Sequence, residues 1–497
     1  MRNQTNSFEL ILAAEEFSPS EFKASHRFSS ADQSIIQRLV AHGPVLLRGG
    51  RGSGKSALMI EAASRLAPQN PASSTLGIYL SLRYLPLLRS SGAEYEALFF
   101  KVLVEKIVEL FPDVVNADCR DNPDIQQVKE ILVNLAEKEG KRIVLLFDDA
   151  AHIGRETSLQ EFFDIFRTLS SPSVSCKATI YPGVTRFGTR FDIYNDATTI
   201  DLFRNEGIND YDQFFNSILT VRFPNLFDRI KYSSELDGVK VAGFLARAVL
   251  GNMRAFVSAG SRLIDASDNE TIDFNTLTII LKNLSENYYW PLLEELRPKL
   301  GIYEVMLDPA HDIANILFKK AGEQRDAASV LILRDLVSKL AKPLELLEYS
   351  GFISRRETSK AMKSGGRGAR YQLSICNLLE RVKGARLTVE LFTTWNSRDI
   401  IDPVEFHRGS DLANLSIPLP DEGADLEILS MSIDTLMVSD RYPYGLTEAK
   451  LQLLHAHDVV SIGQLAEMSD DQLMLIPSVG VVTKDRIKSV VGQAIWM

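Results

Sequence analysis

The chain has 497 residues, of which 45% are hydrophobic and 24% are charged, and its formal net charge is −10. This composition is ordinary for a folded protein of two to four domains, and it is not that of a low-complexity chain. The acidic balance argues against a nucleic-acid coat protein.

The sequence also narrows the compartment and the kinds of site. No apolar stretch reaches the about 18 residues that a membrane-spanning helix needs, and the first residues lead into no apolar signal-peptide core. We therefore expect a cytoplasmic protein with no membrane partner. Cys119, Cys176 and Cys376 are far apart and form no C-x-x-C pair, so neither a disulfide framework nor a structural zinc site is expected.

From an amphipathic helix at 31–40 onwards, predicted strands and helices alternate. The strands are predicted at 44–48, 76–82, 142–149, 177–181 and 198–202, and the helices at 56–66, 93–111 and 124–139. Such alternation predicts a parallel sheet covered by helices on both faces. The expected fold class is therefore α/β, with this core over 1–206.

A glycine-rich segment lies between the first strand and the next helix. It reads Gly49-Gly50-Arg51-Gly52-Ser53-Gly54-Lys55-Ser56 and matches the phosphate-binding pattern G-x-x-x-x-G-K-[ST] in full. Its glycines let backbone N–H groups converge on a phosphate at the start of a helix. Lys55 adds a cation near the β- and γ-phosphates, and the Ser56 hydroxyl can ligate Mg²⁺. We expect a nucleotide to bind along this segment and Ala57; the alternative is a surface turn with a coincidental lysine.

The strand at 142–149 ends in two carboxylates, Asp148 and Asp149. A central parallel strand with its acidic end at a nucleotide has this pattern. Asp148 is predicted to hold Mg²⁺ through water, and Asp149 to orient or deprotonate the attacking water. Lys55 and Asp149 are therefore candidate catalytic residues of an ATPase that uses ATP and Mg²⁺. Seen alone, the strand also fits one that ends in a solvated acidic turn.

From 207 to 304 the pattern is helical only, which predicts a helical lid with helices at 211–219, 238–250 and 253–263. The loop, the acidic strand and the segment Gly251-Asn252-Met253-Arg254-Ala255-Phe256 together resemble AAA+ P-loop ATPases of the origin-recognition, replication-initiator branch. The resemblance covers about residues 20–385. It implies that Arg254 acts as sensor two, reaching from the lid to the γ-phosphate, a task that suits an always-charged planar donor. By itself, Arg254 also fits a solvated position on an ordinary helix.

Other positions of that family stay open in this chain. Sensor one falls at Thr179, Tyr181 or Thr185. Arg186 and Arg190 are either arginine fingers across a homo-oligomer interface or plain surface arginines. The family usually has Asp-Glu where this chain has Asp148-Asp149, and the shorter second carboxylate predicts slow or stimulated hydrolysis.

Residues 305–386 indicate a second module. Helices are predicted at 330–340 and 343–349, and strands at 351–356 and 369–373 flank a basic, glycine-rich segment. This order resembles a winged helix-turn-helix, which initiators of that branch carry at this place. With nine basic and two acidic residues over 351–386, it predicts contact with the backbone of double-stranded DNA, with weak sequence preference. The candidate contacts are Arg355, Arg356, Lys360, Lys363, Arg367 and Arg370. The alternative is a solvated hairpin in a module that binds protein.

After a linker or small connecting region at 387–432, a further small domain is expected over 433–497. Short helices are predicted at 446–455, 461–467 and 469–475, and the segment 476–487 resembles a helix-hairpin-helix. Such a hairpin presents backbone N–H groups to a phosphate, and domains of this kind bind DNA or proteins. The candidate DNA contacts are Ser478, Gly480, Thr483 and Lys484, with Ser478 where that motif often has glycine.

These patterns predict an ATPase that couples ATP binding and hydrolysis to its hold on DNA or on an effector protein. Bacterial ATPases of similar layout are often encoded with mobile-element or anti-phage defence modules, so one interpretation is a regulatory ATPase of such a system. Two alternatives stay open. One is a STAND-type signalling ATPase held in its ADP-bound state, and the other is a scaffold that binds ATP without hydrolysing it.

Overall fold

The computed structural model describes residues 11–496 apart from 69, 71–72, 84–85, 88–89, 115–122, 151–155, 184–186, 189, 268–270, 325–326, 398–401, 421–425, 440–441 and 443–444. Within that part of the chain, none of the helices combines the length and apolar character that a membrane crossing requires.

A five-stranded parallel sheet forms the N-terminal core. Its strands are β1 (Val45–Arg48), β2 (Thr75–Ser81), β3 (Arg142–Asp148), β4 (Val174–Ile180) and β5 (Thr198–Asp201). They lie in the order β2-β3-β4-β1-β5, and every pairing is parallel. The predicted α/β class is confirmed, and β4 separates the strand that leads into the phosphate-binding loop from the strand with the acidic end.

Helices cover both faces of this sheet. After a first helix α1 (Pro19–Ser25), they are α2 (Ser30–Val40), α3 (Lys55–Arg65), α4 (Gly92–Leu110), α5 (Ile125–Glu139) and α6 (Glu156–Leu169). Residues of α4, α5 and α6 form the core on one face, around the aromatic cluster of Phe99, Phe147 and Phe162. Residues of α2 and α3 form the core on the other face. Strands buried on both sides are continuous apolar runs, which is why the sequence predicts them well.

The next helices lead into a second sheet. The helices are α7 (Tyr211–Arg222), α8 (Gly238–Ala248), α9 (Met253–Ser267), α10 (Phe274–Leu284) and α11 (Trp290–Glu294). They are followed by α12 (Leu307–Glu323), β6 (Ser329–Leu333), α13 (Arg334–Lys339), α14 (Ala341–Ser350), β7 (Ile353–Ala361), β8 (Arg367–Leu373), α15 (Ile375–Leu379), α16 (Val389–Asn396) and β9 (Val404–Phe406). A single hydrophobic core runs through these elements, from Tyr211 to Leu412.

The second sheet has the order β7-β8-β6-β9. Strands β7 and β8 form an antiparallel hairpin, β6 pairs antiparallel with β8, and β9 pairs parallel with β6. The predicted helix at 330–340 is therefore wrong in its first half, because 329–333 is strand β6 and the helix begins at Arg334. A short apolar run fits a strand or a buried helix equally well, and only the pairing with β8 decides between them.

The C-terminal residues pack around a core of their own, from Leu426 to Ile495. Their helices are α17 (Glu448–His455), α18 (Ile462–Glu467), α19 (Asp470–Leu475) and α20 (Val481–Trp496). In the hairpin between α19 and α20, Ser478 has a φ of 67°, a left-handed conformation that glycine adopts without strain.

Candidate nucleotide-binding site

The loop between β1 and α3 has the backbone that an anion site needs. Gly52 and Gly54 have φ values of 79° and 98°, which strain residues that carry a Cβ. Helix α3 begins at Lys55 without a side-chain cap, so the N–H groups of its first turn have no partner within the helix. These amides at a helix N-terminus are suited to bind a phosphate.

Lys55 lies buried above the loop. Lys55 is 6% exposed, and its Nζ donates to Gly49 O at 2.7 Å and to Gly50 O at 3.1 Å. The ammonium lies 3.9 Å from the centroid of the Tyr181 ring. Burial lowers the pKa of Lys55 to about 8, while Asp149 favours the charged form. The site thus holds a cation next to an acidic strand end.

Asp148 is fully buried and surrounded by donors. Its Oδ1 accepts from Thr179 Oγ1 at 2.7 Å and from the Asp149 N–H at 3.0 Å, and its Oδ2 accepts from the Tyr79 hydroxyl at 3.0 Å. The nearby Ser56 hydroxyl, like that of Thr179, favours the ionised form of this carboxylate and so lowers its pKa. Burial, followed by the charge of Asp149, raises the pKa of Asp148 to about 6.

Asp149 is the second acid, and it is held by an arginine that the sequence analysis missed. Its φ is 52°, its Oδ1 accepts from the Tyr181 hydroxyl at 3.1 Å, and Arg83 Nε lies 2.6 Å from its Oδ2. The Nε–H of Arg83 is not aligned with that oxygen, so the contact is an ion pair without a directed hydrogen bond. Arg83 also pairs with Glu15 at 3.1 Å.

The two carboxylates and Glu15 form a set of oxygen ligands. One carboxylate oxygen of each lies within 4.8 Å of the others, and the Ser56 hydroxyl is close enough to Asp148 to influence its pKa. Mg²⁺ prefers such oxygen donors, so these residues fit the predicted ion. Glu15, in the short 3₁₀ turn Ala14–Glu16, has no sequence signal; the signal for Arg83 is its place just after the end of β2.

The sensor-one candidates occupy different places. Thr179 bonds to Asp148 and accepts from the Asp149 N–H at 2.9 Å, and Tyr181 contacts Asp149 and Lys55. Thr185 and Arg186 lie outside the described residues. Arg190 is exposed.

The lid contacts the loop directly. Asn252 Nδ2 donates to Arg51 O at 2.6 Å, and the Arg254 N–H donates to Gly52 O at 3.2 Å. Arg254 lines the same cavity as Lys55 and Asp149. The cavity extends between the N-terminal segment and the lid, where Phe28, Met253 and Val257 supply apolar walls and Arg204 and Arg222 supply charge. Apolar walls with a few polar groups are typical of a site for a small molecule.

Helix α14 contacts the loop from another side. The Arg51 N–H donates to Tyr349 O at 2.9 Å, and the Tyr349 ring packs edge-on against Tyr181 at 4.9 Å between centroids. A Cβ at Gly50 would lie 2.8 Å from Glu348 O. The loop is therefore in contact with both the lid and the module around the second sheet, which no local sequence pattern predicts.

The candidate DNA contacts of that module are mostly paired with acids. Arg356 has a side chain that is 5% exposed and pairs with Glu206, so it does not reach the surface. The other pairs are Arg370 with Glu357 at 2.5 Å, Lys360 with Glu357 at 3.5 Å, and Lys363 with Asp402. Arg367 donates to Ser359 at 2.7 Å, and the Arg355 N–H donates to Glu348 at 2.9 Å.

The C-terminal hairpin presents apolar side chains beside its candidate DNA contacts. Ser478 and Gly480 are exposed, whereas Thr483 and Lys484 are partly buried. Lys484 pairs with Asp470 at 2.7 Å, and this bond raises the pKa of Lys484. Leu475 is 81% exposed and Val482 is 83% exposed.

No protein-family model matches the chain, and no curated protein matches it. Similar solved structures include the Walker-type ATPase paby2304 of Pyrococcus abyssi, with 15% identity, a TM-score of 0.41, and coverage of 71% of this chain and 95% of that one. They also include the Aeropyrum pernix ORC1 protein in complex with DNA, with 13% identity, a TM-score of 0.30, and coverage of 71% and 91%. Domain III of the Thermotoga maritima replication initiation protein DnaA has 16% identity, a TM-score of 0.29, and coverage of 56% and 95%. Similarity at this level transfers no function. The parallel sheet and the glycine-rich loop at the start of α3 described above have the α/β architecture of a P-loop fold.

Proposed function

We propose that this protein is a Mg²⁺-dependent ATPase that uses ATP to change the contacts of its C-terminal half. The observation that carries the proposal is that Lys55, Asp149 and Arg254 line one cavity together with the loop glycines, at the uncapped start of α3. A cation, a paired acid and free helix amides around one cavity are the components of phosphoryl-transfer sites.

Each residue has a defined task in this proposal. The first-turn amides of α3 and Lys55 bind the phosphates, and Lys55 exchanges its bonds to Gly49 O and Gly50 O for bonds to phosphate oxygens. Ser56 and Asp148 hold Mg²⁺, which when bound neutralises phosphate charge and orients the phosphates. Arg254 faces the γ-phosphate.

Asp149 orients the attacking water, but Arg83 and Tyr181 occupy its oxygens at 2.6 Å and 3.1 Å. With both oxygens occupied, Asp149 cannot contact a water until the ion pair with Arg83 opens. We therefore expect basal hydrolysis well below the ~1–100 s⁻¹ typical of kinases, with stimulation by a ligand that releases Asp149.

The proposal is tested by nucleotide binding and phosphate release for wild type, Lys55→Ala and Lys240→Ala. Lys240 is a surface lysine of α8 with a side chain that is 55% exposed, so its variant controls for the loss of a positive charge. We expect Lys55→Ala to lose phosphate release and to weaken ATP binding about tenfold or more, with unchanged circular dichroism. Equal rates in all three proteins would refute the catalytic assignment.

The same experiment separates the two alternatives. ADP that copurifies with the protein and exchanges only on addition of a partner would favour a STAND-type signalling ATPase. Tight ATP binding without phosphate release, with or without DNA, would favour a scaffold.

We propose further that the β7–β8 hairpin contacts the backbone of double-stranded DNA. The exposed cations Lys363 and Arg367 near its turn support this proposal. Anisotropy titrations of Lys363→Ala and Arg367→Ala over several salt concentrations should show weaker binding to all sequences, with the salt slope reduced by about one per lost phosphate contact. Arg381→Ala, at an exposed site outside the hairpin, is the control. Absence of DNA binding by wild type would refute this proposal.

For the C-terminal hairpin, the observed surface favours a protein partner over DNA. Leu475, Val481 and Val482 are 81%, 58% and 83% exposed, and a cluster of exposed apolar side chains is more typical of a protein contact than of a phosphate contact. Replacing Leu475 and Val482 with serine should leave DNA affinity unchanged; a loss of DNA affinity would reverse the preference.

A further inference from the structure

Arg51 is the variable residue in the middle of the phosphate-binding loop, at a position where the pattern accepts any side chain. Its side chain is 11% exposed and lies 3.8 Å from Glu295, near the outer limit of an ion pair. Its Nε and Nη1 are buried and have no hydrogen-bond partner among the described residues. Buried donors without acceptors are costly, so the N–H groups on these two nitrogens indicate that a ligand supplies acceptors here.

The surroundings of the Arg51 side chain indicate the kind of ligand. Arg51 lines the nucleotide cavity together with Lys55 and Arg254. Burial, followed by the charge of Arg51, lowers the pKa of Arg254, because two guanidinium groups that lie close together repel each other. An anion between them removes this repulsion, and a phosphate matches the fork of N–H donors in arginine.

We propose that Arg51 is a nucleotide-specificity residue, whose guanidinium contacts the γ-phosphate of ATP together with Arg254. The inference rests on the proposed function, since it requires ATP in this cavity. It goes further in that both arginines come from one chain, so the third phosphate is recognised without an arginine from a neighbouring subunit.

Glu295 is the partner of Arg51 when no third phosphate is present. Arg51 can move from Glu295 to the third phosphate because Glu295 also accepts a hydrogen bond from Lys299 at 2.7 Å and keeps that partner when Arg51 leaves. ADP ends at the β-phosphate and leaves Arg51 with Glu295. ATP therefore gains a contact that ADP lacks, and the ratio of their affinities measures it.

The test is the dissociation constant of ATPγS and of ADP for wild type, Arg51→Ala, Arg51→Lys and Glu295→Gln. We expect Arg51→Ala to weaken ATPγS about tenfold or more while ADP changes less than about twofold. Arg51→Lys should fall between, because lysine keeps the charge but not the fork. Glu295→Gln should tighten ATPγS up to about fivefold, since a weak competitor is removed. Arg65→Ala is the control, since Arg65 pairs with Glu61 and Gln33 outside the cavity.

Equal weakening of both nucleotides by Arg51→Ala would overturn the inference, since it would mean that Arg51 only shapes the loop. If Arg51→Ala leaves the ratio of the ATPγS and ADP dissociation constants unchanged while Lys55→Ala binds neither nucleotide, the inference is overturned and the proposed function stands. Wild-type binding by Lys55→Ala would overturn the proposed function itself. Phosphate release per chain should be independent of protein concentration; an increase with concentration would contradict the statement that one chain alone recognises the third phosphate.

Discussion

Replacing Gly50 with alanine would place a methyl group against the end of α14. The new Cβ would lie 2.8 Å from Glu348 O and 3.3 Å from Tyr349 O. Both are backbone oxygens, so no change of rotamer relieves the contact. The φ of Gly50 is outside the left-handed region, so the strain comes from the contact alone.

The magnitude follows from these distances. An ordinary contact needs at least 3.4 Å, so α14 and the loop must separate by about 0.6 Å, and overpacking of this kind costs about 1–3 kcal/mol. The separation also weakens the bond from the Arg51 N–H to Tyr349 O, at 2.9 Å, which contributes about 0.5–1.5 kcal/mol. We expect the docking of α14 to weaken by about 2–4 kcal/mol in total.

Hydrogen exchange measures this docking directly. If exchange proceeds by local opening, ~2–4 kcal/mol accelerates it about 30- to 700-fold at the Arg51 amide and in the last turn of α14. Gly480→Ala is the control, because a Cβ there meets no atom within 4 Å. Unchanged exchange in both segments of Gly50→Ala would refute the argument that α14 bears on the loop.

Three further predictions concern pH and stability. Burial raises the pKa of Asp148 to about 6, and this carboxylate must be ionised to hold Mg²⁺. The Mg²⁺-dependent part of the affinity for ATPγS should therefore fall up to tenfold per pH unit below about 6 and level off above about 7. Calorimetry that shows no change in this affinity from pH 5 to 8 would contradict the prediction. Because that pKa is raised in the folded state, the contribution of Asp148 to stability without Mg²⁺ falls as pH rises from about 4 to about 6. Lys177→Met removes a buried ammonium that donates to backbone carbonyls at the end of α2, and we expect a loss of about 1–3 kcal/mol in chemical unfolding; a more stable variant would show that the buried charge outweighs its bonds. Arg356→Ala leaves Glu206 without its partner and should cost about 2–4 kcal/mol, whereas Arg367→Ala should cost under about 0.5 kcal/mol; equal melting temperatures of the two variants would rule out a structural role for Arg356.

The features that the sequence predicts well are local ones. Lys55 and the glycines around it follow one another along the chain, and Asp148 ends a strand whose apolar run reflects burial on both faces. These patterns depend on residues within about ten positions of each other, so periodicity and spacing are enough to find them.

The features that it misses are contacts between distant segments. Arg83 meets Asp149 only after β2 pairs with β3, and Glu15 approaches Asp149 only after the N-terminal turn packs against α3. Tyr349 meets Arg51 only after the second sheet has formed behind the lid. Arg356 counts as a basic residue in the sequence, but its pairing with Glu206 removes it from the surface. Charge counts do not reveal burial.

The meeting of α14 with the loop has a further consequence. The last carbonyls of a helix carry a partial negative charge, and here one of them, Tyr349 O, accepts from the Arg51 N–H of the loop. A polyphosphate bound to the loop as proposed would therefore be repelled by this helix end over a short distance. By thermodynamic linkage the effect is reciprocal. The nucleotide would weaken the docking of α14, and a ligand that keeps α14 docked would lower the affinity for the nucleotide by the same factor. A partner that holds α14 in place should thus weaken the proposed binding of ATP without entering the cavity.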